Sequence, residues 1–140
     1  MNREPIMAAL WAKVSGLSSL ATASRVLKHY SEVAAVDQPA LFMAPVSHTA
    51  QRTRGLPIKW TLDVDLYLYV NKDSSVIPDA ALNALLDGIE AALAPPAVAE
   101  VQTLGGLCEH AWIEGVIQID ISAMGAQLLC VVPLRILATT

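Results

Sequence analysis

A thiol and an imidazole lie close together in Cys108-Glu109-His110, where they could form a nucleophile and its base. Residues two apart on a strand share a face, but their backbones are ~7 Å apart, so these side chains would diverge. A thiol enzyme also needs a third group that orients the base, and the sequence offers none that can be recognised. We interpret Cys108 as a buried thiol and His110 as a surface histidine, and we expect no catalytic residue and no enzyme activity.

Two carboxylates, Asp63 and Asp65, are spaced to share one face of a strand, and Asp120 could add a third from another strand. Such a pair can hold a hard cation or act as acid and base, although acidic residues more often protect a sheet from wrong pairing. The three histidines are isolated and no Cys-x-x-Cys pair is present, which argues against a zinc site. Gly105-Gly106 lacks the lysine and the Ser or Thr of a phosphate-binding loop. We therefore expect no metal and no cofactor.

The composition argues against several classes of function. Charged residues make up 16% of the chain, against ~25% in ordinary soluble proteins, which suggests that part of the surface is buried in an oligomer. The net charge of −4 and the lack of a basic stripe argue against specific nucleic-acid binding. No apolar run approaches the ~18 residues of a membrane span, and no secretory signal is recognisable. We expect cytoplasmic synthesis, with Cys108 and Cys130 reduced.

The element that would position the two carboxylates is the alternating run Trp60–Val70. Every even position is apolar, which predicts a strand with one buried face. At ~3.3 Å per residue this strand would be roughly 36 Å long, about twice the usual length. We expect its outer face to contact another subunit, since tyrosine offers contact area and a hydroxyl at low entropic cost. That face carries Asp63, Asp65, Tyr67 and Tyr69.

Two helices are predicted from apolar residues at helical spacing. The first begins after Asn2, a residue that can cap a helix, and ends near Gly16. The second begins at Pro78, which suits a first turn, and ends before Pro95-Pro96. The stripes that these helices would bury are Ile6, Met7, Leu10, Trp11 and Val14 in the first, and Leu82, Leu85, Leu86, Ile89 and Leu93 in the second.

The chain before the long strand predicts one short strand and one long loop. Ala40–Ala44 is apolar and reads as a strand that Pro45 ends. The segment 22–30 stays open between a strand and a helix end, because its alternation is weak. Residues 47–57 are polar and locally basic, so we expect a mobile hairpin loop at about 47–57 that makes a functional contact.

After Gly105-Gly106, two alternating runs predict two more strands. Pro133 would place the last strand at a sheet edge or at a bulge. Turns are expected at 71–75 and 123–126. The apolar faces of the two strands would be Ala111, Ile113, Gly115, Ile117, Ile119 and Ile121 in one, and Leu128, Cys130, Val132, Leu134 and Ile136 in the other.

The order of elements shows no regular βαβ alternation. We therefore predict a single domain over residues 1–140 of the α+β class, with a mostly antiparallel sheet, a long central hairpin and two helices packed on one face. Arg25, Lys28, Arg52 and Arg54 could form a small basic patch. Such a patch would be too sparse for tight DNA binding but sufficient for salt bridges to an acidic partner.

Five stretches, taken in order, carry a resemblance to a known family. They are Arg25-Val26-Leu27-Lys28-His29-Tyr30, Gln38-Pro39-Ala40-Leu41-Phe42, Gly55-Leu56-Pro57-Ile58-Lys59-Trp60-Thr61-Leu62, Thr103-Leu104-Gly105-Gly106-Leu107 and His110-Ala111-Trp112-Ile113-Glu114-Gly115. This set resembles the tail terminator or tail completion (minor tail) proteins of long-tailed bacteriophages. The resemblance extends over most of the chain, and no single motif in it is diagnostic.

The resemblance implies an α+β subunit that assembles into a hexameric ring. The ring would sit on the end of the tail tube, stop its polymerisation and present a surface to the head connector, without enzyme activity or cofactor. Its partners would be further copies of itself, the tail tube protein and the head-tail connector protein. It would be made in the bacterial host cytoplasm and lie at the tail end of the virion. DNA would pass through the lumen without specific binding, and no membrane is involved.

The interface residues are expected on physical grounds rather than from a family motif. They are Arg25, Lys28, Arg52, Arg54, Asp63, Asp65, Tyr67 and Tyr69. Two alternatives stay open: a different neck or head-joining protein, and a small bacterial α+β enzyme or ligand-binding protein with a site between subunits. The isolated protein could also remain a monomer until it meets its template.

Overall fold

A computed structural model gives the fold of residues 1–72, 77–121 and 127–140. These ranges contain two α-helices, six strands and two short 3-10 turns at Tyr30–Glu32 and Ala35–Asp37. The helices are α1 (Arg3–Val14) and α2 (Pro78–Leu93), and the strands are β1 (Thr22–Ser24), β2 (Ala40–Gln51), β3 (Lys59–Asn71), β4 (His110–Ile113), β5 (Gln118–Asp120) and β6 (Gln127–Thr139). The predicted α+β class is confirmed.

The strands form one mixed sheet in the order β1-β2-β3-β6-β4, with β5 also paired to β6. β1 runs parallel to β2, and the other described pairs are antiparallel. β3 and β6 pair along their whole length, from Lys59 opposite Thr139 to Asn71 opposite Gln127. The predicted long strand is therefore confirmed and extends one residue further at each end, and β2 with β3 forms the predicted long hairpin.

Both helices pack on the sheet face that carries the even-numbered residues of β3, as predicted. Alternation places Leu62, Leu66 and Leu68 on this helix face, and all three are fully buried. Burying one such leucine contributes about 1.5–3 kcal/mol to stability. The helices contribute Ile6, Met7, Leu10, Val14, Leu82, Leu85, Ile89 and Leu93 to the core, whereas Trp11 and Leu86 are only partly buried.

The predicted end of the second strand at Pro45 is wrong, because β2 continues to Gln51. A β-bulge between Pro45 and Ser47 shifts the register, so that Pro45 pairs with Val64 and Ser47 already pairs with Asp63. A bulge accommodates proline because the ladder is locally interrupted there. The loop predicted at about 47–57 is correspondingly shorter, since Ser47–Gln51 is strand and the connection spans 52–58.

The strand predicted over Ala111–Ile121 is wrong as a single element, because β4 and β5 are separate. Gly115 lies between them with a φ of 111°, a backbone conformation that favours glycine. The chain leaves the sheet at this point, although Ile117 still packs against the core beneath the helices. Beyond it, Ile119 and Ile121 are 49% and 57% exposed.

Pro133 was predicted to lie at a sheet edge or at a bulge, and the first alternative is wrong, because β6 has neighbours on both sides. The Pro133 carbonyl accepts a hydrogen bond from the Glu114 N–H at 3.1 Å, on the side where β4 has ended and β5 has not begun. The N–H and C=O of one residue in an antiparallel ladder point to the same side. The N–H that proline lacks would therefore face this break, and no ladder bond is lost.

The segment 22–30, which the sequence left open, contains β1 and then an irregular stretch that leads to the 3-10 turn at Tyr30–Glu32. This stretch carries the chain from the sheet edge to the face opposite the helices, where Tyr30 and Val33 pack. The turn predicted at 123–126 lies outside the described residues, as do residues 73–75 of the turn predicted at 71–75.

Candidate interaction surface

The sheet face opposite the helices, here called the outer face, is covered at one end by the chain itself. Tyr69 is only 4% exposed there and shares a cluster with Val33 and Phe42, whose ring centroid lies 5.4 Å from that of Tyr69. The Tyr69 hydroxyl donates a hydrogen bond to the Lys28 carbonyl at 2.7 Å. Tyr69 is therefore buried within its own chain, contrary to the expected exposure, because the segment after β1 folds over it.

At its other end the outer face is open and polar. The Arg135 Nε donates a hydrogen bond to Asp63 at 2.8 Å, and its Nη1 lies 3.1 Å from a Glu114 carboxylate oxygen. The Ser47 hydroxyl also donates to Asp63, at 2.8 Å. Burial opposes the ionisation of Asp63, but the hydrogen bonds from Arg135 and Ser47 outweigh it and lower the pKa of Asp63. Asp63 is therefore held as a carboxylate by its own sheet neighbours.

Asp65 lies on the same face in a different environment. Its neighbours on β2 and β6 are Ala44 and Pro133, so neither strand places a cation opposite it. Partial burial, and then the charge of Asp63, raise the pKa of Asp65. Within the described residues, no group of three His, Cys, Asp or Glu side chains is placed to hold a metal ion.

Tyr67 is the outer-face tyrosine that a partner could reach. It is partly exposed at the border between the covered and the open half of the face. Burial, and then the charge of Asp65, raise the pKa of the Tyr67 hydroxyl. The open half thus offers the partly exposed ring of Tyr67 beside an acidic and ion-paired strip.

The loop 52–58, here called the basic loop, joins β2 to β3. Arg52 and Arg54 are both exposed, and among the described residues neither forms an ion pair. Gly55 turns the chain with a φ of 80°, and the following Leu56 is 64% exposed. The basic loop therefore presents two uncompensated positive charges and an exposed apolar side chain.

The other two cations of the predicted basic patch lie elsewhere. The Arg25 guanidinium pairs with Glu4, at 2.6 Å and 3.2 Å from its two carboxylate oxygens. Lys28 is exposed near the covered half of the outer face. Arg25 follows Ser24, which pairs with Phe42 of β2, whereas the basic loop begins after the last residue of β2, Gln51. Between Phe42 and Gln51 the strand rises roughly 30 Å. The four cations therefore do not form one patch.

The side chains of Cys108 and His110 each contact the backbone of Gln102, and the thiol also interacts with the backbone of His110. The Cys108 thiol lies 3.9 Å from the Gln102 carbonyl, and the Gln102 N–H donates a hydrogen bond to His110 Nδ1 at 3.1 Å. Burial, and then the charge of Glu109, raise the pKa of Cys108 to about 11, which disfavours the thiolate. His110 is half-buried and stacks on Trp112 at 4.6 Å between ring centroids, so it is not the surface histidine that the sequence predicted.

A groove between α2 and β4 was missed by the sequence reasoning. It has a volume of about 590 Å3, and its lining includes Leu93, Trp112 and Ile113, with Glu90 and Glu100 at its sides. These residues come from three separate segments, so no local pattern reveals them as neighbours. The local signal that could have pointed to the groove is Trp112, because tryptophan is enriched at interfaces.

Searches against protein-family models and against curated proteins found no match to this chain. The structure therefore defines its class by geometry, as an α+β protein with an open polar sheet face and an exposed basic loop. In the part of the chain that the structure describes, no helix is long and apolar enough to span a membrane.

Proposed function

We propose that this protein is a structural component of a phage or prophage tail, which forms a ring on the end of the tail tube, stops polymerisation of the tube and provides the surface for head joining. The observation that carries the proposal is the exposed basic loop at the end of a hairpin whose strands have 12 and 13 residues, about twice the usual length. The resemblance of the sequence to tail terminator and tail completion proteins supports the same function.

Three further features support a subunit of a ring. The open half of the outer face leaves Asp63, Arg135 and Tyr67 partly exposed and available for contact. The low fraction of charged residues, 16%, suits a chain that buries surface against its neighbours. The net charge of −4 suits a ring through which DNA passes without binding. In this proposal the partners are further copies of the chain, the tail tube protein and the head-tail connector protein.

The experiment reverses both charges of the basic loop, with Arg52→Glu and Arg54→Glu, in cells that produce the complete tails. We expect tubes of abnormal length under the electron microscope and at least about a ten-fold loss of joined particles, the factor that ~1.4 kcal/mol of lost contact produces. The fold should be unchanged by circular dichroism, because both arginines are exposed and unpaired among the described residues.

Two control variants separate charge from side-chain shape. Arg52→Lys with Arg54→Lys keeps both charges but loses the bidentate geometry of the guanidinium group, and it should retain more of the assembly than the double glutamate variant. Lys13→Glu reverses an exposed charge on α1, far along the chain from the basic loop, and should leave the tails normal. Tails of normal length with the double glutamate variant would contradict the proposal.

The alternative of a small enzyme or ligand-binding protein has less support. It would require Asp63 and Asp65 to converge with a His or Cys side chain in one pocket. Asp63 is instead paired with Arg135, and the side chains of Cys108 and His110 contact the backbone of Gln102.

A further inference from the structure

The groove between α2 and β4, here called the α2–β4 groove, combines an apolar lining with two acidic side chains. Trp112 and Ile113 are partly exposed and supply apolar surface next to the buried Leu93, and Glu90 and Glu100 are exposed beside them. In the described residues neither carboxylate takes part in an ion pair. Such a groove fits an occupant that carries an apolar side chain together with positive charge.

The basic loop has the complementary chemistry. Its two guanidinium groups can bind carboxylates in bidentate fashion, and Leu56 between them and β3 is 64% exposed. The loop carries two positive charges and the groove two negative charges, and both regions offer apolar surface. No residue of the basic loop lines the groove of its own chain, so the match is not used within one protomer.

The fold places the two regions at the same end of the sheet, on different strands. The Lys59 Nζ, at the base of the basic loop, donates a hydrogen bond to a Glu109 oxygen at 2.8 Å, and Glu109 immediately precedes β4. β2 and β4 are nevertheless separated by β3 and β6. A cyclic ring is built by heterologous contacts that join two different surfaces of successive copies. Two separate surfaces with complementary charge meet this requirement.

We propose that the basic loop of one copy binds the α2–β4 groove of the next copy, with Arg52 and Arg54 facing Glu90 and Glu100. Leu56 then packs on the apolar surface that includes Leu93 and Trp112. This inference rests on the proposed ring function and names the subunit contact that closes the ring. The tail tube or the connector as occupant of the groove is the competing outcome.

The test is a charge exchange between the two regions, measured as solution mass by light scattering. The loop variant carries Arg52→Glu and Arg54→Glu, and the groove variant carries Glu90→Arg and Glu100→Arg. We expect the wild type to form a multimer at concentrations up to about 1 mM, the range in which even weak contacts are populated. Each variant alone should dissociate, with at least a ten-fold weaker association.

Association should return when the charges are matched again. An equimolar mixture of the two variants pairs each acidic loop with a basic groove and each basic loop with an acidic groove. A chain that carries all four substitutions restores the pairing within one sequence. Recovery of the wild-type mass in both cases supports the contact, and failure in both overturns it, since the residues would then act elsewhere.

Controls keep the contact distinct from the proposed function. Asp87→Arg reverses an exposed charge on α2 that does not line the groove, and it should leave the mass unchanged. Circular dichroism checks that every variant is folded. A wild-type multimer that survives both charge reversals overturns the contact and leaves the ring standing. A wild type that stays monomeric at about 1 mM overturns self-association through this contact, while the tail-length experiment still tests the function.

Discussion

The two halves of the outer face of β3 share the same alternation of side chains, but one half is covered by another segment of the chain and the other half is not. At one end Tyr69 is buried against Phe42 and Val33 and donates its hydroxyl to the Lys28 carbonyl. At the other end Asp63 is partly exposed to solvent and is paired with Arg135. Alternation along a strand decides which side chains share a face, but another segment of the chain decides whether that face is covered.

This contrast separates stability from interaction. The segment after β1 packs over the covered half and forms a second, smaller core there, in addition to the core beneath the helices. The open half carries an ion-paired strip and leads to the basic loop, so changes there should alter contacts with partners more than folding. Three predictions follow from the contrast, in addition to the two charge-reversal experiments described above.

The largest effect on folding is expected from Tyr69→Ala. Deleting a buried aromatic ring removes its packing and leaves a cavity, which typically costs about 3–5 kcal/mol. Urea denaturation should show a lower free energy of unfolding by at least 3 kcal/mol. The matched substitution Thr61→Ala on the open half should change it by no more than about 0.5 kcal/mol. Equal costs at the two positions would remove the distinction between the halves.

A smaller effect is expected from Asp63→Asn, because the ion pair with Arg135 is partly exposed to solvent and screened. We expect a loss of about 0.5–1 kcal/mol at neutral pH. The folded-state pKa of Asp63 is lowered, so its contribution is present above the unfolded value of ~3.9 and is lost as the pH falls through the folded value. Thermal unfolding at pH 7 and at low pH checks this, and an effect that persisted in acid would refute it.

The smallest effect, with the opposite sign, is expected from Asp65→Asn. The pKa of Asp65 is raised by burial and by Asp63, so the folded state resists its ionisation. The ionised carboxylate therefore penalises folding at neutral pH, and this penalty disappears as the pH falls below the folded-state pKa towards the unfolded value. We expect Asp65→Asn to raise the melting temperature at pH 7 and to lose this gain in acid. A lower melting temperature at pH 7 would show that Asp65 has a stabilising partner.

Much of the fold could be predicted because its signals are local. The period of two in Trp60–Val70 and the helical spacing of the two stripes each lie within one short segment. The prediction failed where a distant segment intervened. β2 passes Pro45 because a bulge against β3 absorbs the proline, and the strand expected over Ala111–Ile121 divides at Gly115.

The candidate surface was predictable only in part. The sequence predicted the positive charge of the loop and the position of Asp63 on the outer face of β3, since composition and alternation are local properties. The ion pair of Asp63 with Arg135 could not, because these residues are 72 positions apart. The same is true of the α2–β4 groove, whose walls come from separate segments.

The sequence by itself determined the α+β class, the long strand, the two helices and the basic character of the loop. These follow from periodicity, capping residues and charge, which act over a few residues. The tertiary structure alone decided that Tyr69 is covered, that Pro133 sits opposite a break, and that no residue of the basic loop lines the groove of its own chain. Those features depend on which distant segments pack together, and packing is a property of the whole fold.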